Sequence, residues 1–97
     1  MRFHPIAELL TLVEAYDLHS PEILLEGDGA VGVDWDEGAR ASISCSLCED
    51  GRVFWSVLVG TYTAHGQFTL PAVTLPDALR SGFIQLAAVN ARAALNA

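Results

Sequence analysis

The chain has 97 residues, a mass of 10.4 kDa and a formal charge of −7, with twelve acids against five basic residues, all of them arginine. Its 52% hydrophobic and 18% charged content supports a packed core and excludes a disordered tail, and the length fits one domain, 1–97. So acidic a surface excludes direct nucleic-acid binding by phosphate neutralisation. The longest nearly apolar run, 53–59, is far short of the roughly 20 residues that span a bilayer. Pro5 and Glu8, close to the start, are unlike a secretory leader. Two cysteines are too few for a disulfide framework. The expectation is a soluble cytoplasmic protein with no cofactor and no membrane contact.

The first element is a helix over 5–18. Pro5 stands where a first-turn proline is tolerated. Ile6, Leu9, Leu10, Val13 and Tyr16 form one apolar stripe at helical spacing. Residues 22–26, Glu-Ile-Leu-Leu-Glu, fit either a short strand or a tight loop with buried leucines. Gly27-Asp28-Gly29 is a turn, after which the period changes to two.

Val31, Val33 and Trp35 alternate with Gly32, Asp34 and Asp36. After the turn Asp36-Glu37-Gly38, Ala39, Ala41, Ile43, Cys45 and Leu47 point one way, and Arg40, Ser42, Ser44, Ser46 and Cys48 the other. Such alternation marks half-buried strands. Asp50-Gly51 is a hairpin turn. In the third strand Val53, Trp55, Val57 and Val59 take the core side, with Phe54, Ser56 and Leu58 opposite. A loop at His65-Gly66 and a short fourth strand over 67–70 follow.

Pro76 and Asp77 open a last helix that runs to about Leu95. Leu79, Phe83, Leu86 and Val89 or Asn90 form one stripe; Ile84, Ala88, Ala91 and Leu95 form a second. A helix apolar on two sides needs two partners. The fold class expected is α+β: a four-stranded antiparallel meander with N- and C-terminal helices packed on one face, in the order α-β-β-β-β-α. The second stripe implies a homodimer or an obligate hetero-complex that buries part of residues 79–95.

Charge is uneven. Residues 1–50 sum to −9 and residues 51–97 to +2. Glu26, Asp28, Glu49 and Asp50 should gather at one end of the sheet, and Asp34, Asp36 and Glu37 at the other. Phe54 and Leu58, set against small serines, would form a shallow protein-binding face.

Catalytic and metal motifs are weak. Cys45-Ser-Leu-Cys48 has C-x-x-C spacing but lies on a strand, where residues three apart stand about 10 Å apart on opposite faces, too far for a disulfide. Cys45 is then a core residue and Cys48 a near-surface one. Zinc would need two more ligands. No histidine pair among His4, His19 and His65 has the spacing of a helical zinc site. A Cys48–His65 dyad is the one enzymatic arrangement the topology allows. Gly27-Asp28-Gly29-Ala30-Val31-Gly32 has the form G-x-G-x-x-G, yet a strand follows it rather than a phosphate-binding helix. Asp28, Asp34, Asp36 and Glu37 are calcium-type ligands without a calcium loop.

An Asp28-Gly29 turn, a strand ending in Trp35, an Asp50-Gly51 hairpin, Phe54-Trp55, Gly66 and Leu75-Pro76 follow one another across 22–79. That order resembles small bacterial proteins encoded near mobile-element, defence or toxin–antitoxin genes. The resemblance covers about half the chain, through turn and strand residues, and it implies no catalytic residue. The function expected is a small acidic, non-catalytic interaction or regulatory protein. It would be an inhibitor of the anti-CRISPR or antitoxin kind, encoded by a phage or mobile element, whose carboxylates occupy the basic surface of a nucleic-acid-handling protein. The alternatives are a small-ligand or enzymatic domain using Cys48 and His65, and an assembly subunit that oligomerises through its last helix.

Overall fold

The computed structural model describes residues 4–95. In chain order the elements are α1 (Pro5–Val13), β1 (Glu22–Leu25), β2 (Val31–Asp36), β3 (Ala41–Leu47), β4 (Arg52–Val59), β5 (Tyr62–Thr69) and α2 (Asp77–Leu95). The described strands form one antiparallel sheet in the order β1-β2-β3-β4-β5. The class is α+β and the sheet is a meander, with five strands where the sequence led us to expect four. No helix among the described residues is long and apolar enough to cross a membrane.

Both strand differences have local causes. Residues 22–25 pair with 31–34, so the Glu-Ile-Leu-Leu segment is an edge strand and not a loop with buried leucines. β5 begins at Tyr62 instead of Gln67, and His65-Gly66 lies within it. The turn is Gly60-Thr61, where Gly60 takes the left-handed φ of 62° that glycine adopts freely. Gly66 is needed under an indole: a Cβ there would stand 2.9 Å from Trp55 Cζ2. Tyr62, Ala64, Gly66 and Phe68 continue the core-facing rows of Val59, Val57, Trp55 and Val53. The small inward residues in the middle of the strand, Ala64 and Gly66, disguised the alternation.

α1 ends at Val13 rather than Leu18. The chain turns there, and the Tyr16 ring stacks on Phe83, with centroids 5.8 Å apart. Asn90 Nδ2 donates to the Asp17 carbonyl at 2.9 Å, fixing the segment after the turn against α2.

The core lies on one side of the sheet. Leu9 and Val13 of α1 and Leu79, Phe83 and Leu86 of α2 pack with Val33, Trp35, Ile43, Cys45, Val53, Trp55 and Val57. Phe83 meets Trp35 edge-on at 4.9 Å, so one ring joins α2 to the sheet and, through Tyr16, to the segment that follows α1. Gly82 lets α2 approach closely: a Cβ there would lie 2.7 Å from Val57 Cγ1.

Candidate protein-interaction surface

With both helices on one face, the even-numbered side chains of β1 to β4 are left on the other. Pairing sets them in rows. Glu22, Asp34, Ser44, Ser56 and His65 lie across from one another in turn. The next row is Leu24, Gly32, Ser46, Phe54 and Gln67, and a third holds Asp36, Ser42, Leu58 and Thr63.

Between the first two rows runs an open groove of about 500 Å³, its walls including Leu24 and Phe54 and its margin Glu26 and Asp34. Gly32 lowers the floor. The Glu26 carboxylate crosses it, within 3.3 Å of where a Cβ at residue 32 would stand, and accepts a hydrogen bond from Ser46 Oγ at 2.8 Å. Phe54 is 43% exposed. The Arg52 guanidinium lies 5.8 Å from its ring centroid and bonds the Asp50 carboxylate at 2.8 Å. Among the described residues, the carboxylates of Glu22, Glu26, Asp34 and Asp36 thus share this face with Arg52, which already has a partner.

The expected acidic clusters are redistributed. Asp28, Glu49 and Asp50 do meet at one end, around the two turns that β2–β3 pairing sets side by side. There Asp28 accepts from the Ala30 N–H and Asp50 from the Arg52 N–H, each closing its own turn. The Arg52 backbone N–H, reinforced by its guanidinium, holds the Asp50 carboxyl below its ordinary range. Asp36 does the same local work for Gly38 N–H. Asp34 lies along the face, across from Glu22 and Ser44, not in an end cluster.

Glu37 leaves the surface set altogether. Its side chain is only 5% exposed, with Oε2 2.8 Å from His19 Nδ1 and Oε1 buried without a partner. Parity explains this: residue 37 continues the core-facing series of Val33 and Trp35. Leu58 is on the open face as expected but lies two residues along from Phe54, outside the groove. Glu22 and Leu24 were missed. The run Glu-Ile-Leu-Leu-Glu shows no alternation of its own, and Glu22, Leu24 and Glu26 fall on one face only once 22–25 is known to be a strand.

The thiols divide as the sequence implied. Cys45 is buried and Cys48 partly exposed, both unpaired. Burial, with the nearby Asp34 charge, pushes the Cys45 thiol up to about 12. Cys48 and His65 do not approach: His65 is level with Ser44, four residues from Cys48 or about 13 Å along the strand, and two strand spacings across. The dyad is therefore not assembled. Among the described residues no three His, Cys, Asp or Glu side chains converge as metal ligands would.

On α2 the two stripes have different fates. Leu86 is fully buried within the chain, so it is not part of an exposed oligomer face, whereas Ile84 is 54% exposed. In comparisons with known proteins the chain matches no family model, no curated protein and no solved structure.

Proposed function

We propose that the chain is a non-catalytic binding protein whose open sheet face occupies a basic surface on another protein. The partner chemistry is that of a surface built to hold phosphates, so the bound chain would exclude nucleic acid from a cytoplasmic nucleic-acid-handling protein, as inhibitors of the anti-CRISPR or antitoxin kind do. The observation that supports this is the Leu24–Phe54 groove with Glu22, Glu26, Asp34 and Asp36 around it. Apolar walls provide buried contact and the carboxylates provide sign and on-rate.

The test is capture by the immobilised chain against a variant carrying Glu22→Gln, Glu26→Gln, Asp34→Asn and Asp36→Asn. A protein held by the first and lost from the second, and released by competing DNA, supports the proposal. A captured protein held equally by both, at every salt concentration, refutes it.

An assembly subunit is the alternative role, favoured by the uncovered stripe through Ile84 and Leu95. Ile84→Glu would then lower the mass measured by light scattering.

A further inference from the structure

The edge of the sheet at β1 is short and exposes an apolar middle. Ile23, Leu24 and Leu25 are 49%, 47% and 89% exposed, on both sides of a four-residue strand. Native edges are usually blunted by brevity, charged residues (above all lysine), proline, a bulge or a covering element; β1 is short, with Glu22 at one end and Pro21 before it, but among the described residues nothing covers its apolar middle. The opposite edge differs: β5 carries Thr63, His65, Gln67 and Thr69 outward, and its Tyr62 hydroxyl donates to the Ala78 carbonyl of α2 at 2.9 Å.

The backbone of β1 is also free in a defined pattern. Glu26 N–H donates to the Ala30 carbonyl at 2.9 Å, so Glu26 turns its main-chain groups toward β2. Antiparallel ladders alternate. Glu22 and Leu24 therefore turn inward as well, and Ile23 and Leu25 present N–H and C=O to the outside.

We infer that β1 is a strand-addition site for an extended segment of the partner protein with the pattern basic–apolar–apolar–apolar–basic. This rests on the function proposed above and names the mode of contact. Added antiparallel to β1, such a segment takes main-chain hydrogen bonds from Ile23 and Leu25. Its central residue lies opposite Leu24, beside the groove. Its two flanking cations lie opposite Glu22 and Glu26; pairing with the second draws the Glu26 carboxylate back from Ser46 Oγ, which it accepts from in the free chain. The apolar residues between them cover Ile23 and Leu25 on the helix side.

Charge decides against a second copy of this chain. The two-fold register centred on Leu24 satisfies the same backbone groups, but it sets Glu22 of each copy against Glu26 of the other, and each chain carries −7. Like charges directly opposed destabilise a strand pair.

The test uses the full chain and an amidated peptide, Thr-Arg-Ile-Leu-Ile-Arg-Thr, followed by amide NMR. A counterpart has glutamate for both arginines. The basic peptide is expected to shift the Ile23 and Leu25 amides and to bind at least tenfold more tightly than the acidic one. Leu25→Pro removes one outward N–H without touching the ladder or any carboxylate, and should weaken binding by about tenfold. Glu22→Lys, an exposed change that leaves the fold intact even if the proline variant unfolds, should reduce the preference for the basic peptide by at least tenfold. Equal binding of both peptides, or shifts confined to residues outside β1, overturns the inference. So does a dimer in light scattering that Leu25→Pro dissolves, since a second copy then holds the edge. If the captured partner is lost from the four-carboxylate variant but retained by a folded Leu25→Pro, the general function stands and strand addition fails.

Discussion

Gly82 sits in α2 where helix propensity and packing pull in opposite directions. In an exposed helix interior, Gly→Ala stabilises by about 1 kcal/mol. Here the added Cβ would meet Val57 Cγ1 at 2.7 Å, Cγ2 at 2.8 Å and Cβ at 3.3 Å. Ordinary carbon contacts lie at about 3.5–4.0 Å, so both methyls must retreat by about 1 Å. Val57 is buried and β-branched, with few rotamers to offer. Overpacking of this kind costs about 1–3 kcal/mol. Gly82→Ala should therefore destabilise by about 1 kcal/mol net, a fall of about 4–8 °C in Tm for a domain of this size. Urea unfolding followed by the fluorescence of buried Trp35 and Trp55 reads this directly. The decisive control is Val57→Ala, which removes both obstructing methyls. In that background Gly82→Ala should become stabilising, because the new methyl enters vacated space and only the propensity gain remains. A coupling of about 2 kcal/mol between the two sites follows. If Gly82→Ala stabilises the otherwise unchanged protein, α2 does not approach β4 as closely as the structure has it.

Other expectations follow from the same geometry. Alkylation of the native protein at pH 8 should modify Cys48 rapidly and Cys45 only on unfolding; equal rates would contradict the burial of Cys45. The buried Cys45 thiol keeps its proton up to about 12 while an unfolded one ionises from 9.0. Its contribution to stability is intact below pH 9 and declines above it by about 1.4 kcal/mol per pH unit, a difference that chemical denaturation of Cys45→Ala would reveal. His19→Ala strands the buried Glu37 carboxylate and should cost about 1–3 kcal/mol in denaturant unfolding. Adding Glu37→Gln should recover part of that loss, and strict additivity would deny the contact. Phe83→Ala removes the ring shared by Trp35 and Tyr16 and should cost about 3–5 kcal/mol by the same measurement.

What sequence could show depended on how strongly each segment alternates. β3 and β4 were legible because valine, isoleucine and tryptophan stand against serine. α2 was legible from Pro76-Asp77 and its Leu79-Phe83-Leu86 stripe. β5 was half hidden, since its inward positions are Tyr62, Ala64, Gly66 and Phe68, and glycine reads as a turn until its neighbour is known to be Trp55. β1 has glutamates only at the ends of an apolar run, so neither period shows within it. The candidate surface was legible as Phe54 with its serine neighbours. Its other wall was not, because Leu24 and Glu22 join that face only when β1 pairs with β2. Glu37 was misplaced by treating three acids near one turn as equivalent, although strand parity separates Glu37 from Asp34 and Asp36.

Because every strand pairs with its neighbour in sequence, the sheet can form by successive short closures, the kind of topology that folds quickly. Its apolar face has no such local cover. Leu79, Phe83 and Leu86 supply much of that cover and come after all five strands. During synthesis the meander is complete before its lid exists. In that interval Trp35, Trp55 and the valine rows are exposed beside the open β1 edge, a combination that favours association between unfinished chains. Closure of α2 is thus also the step that ends the chain's vulnerability to aggregation, and changes that weaken the Phe83 contact should reduce soluble yield before they alter the folded state.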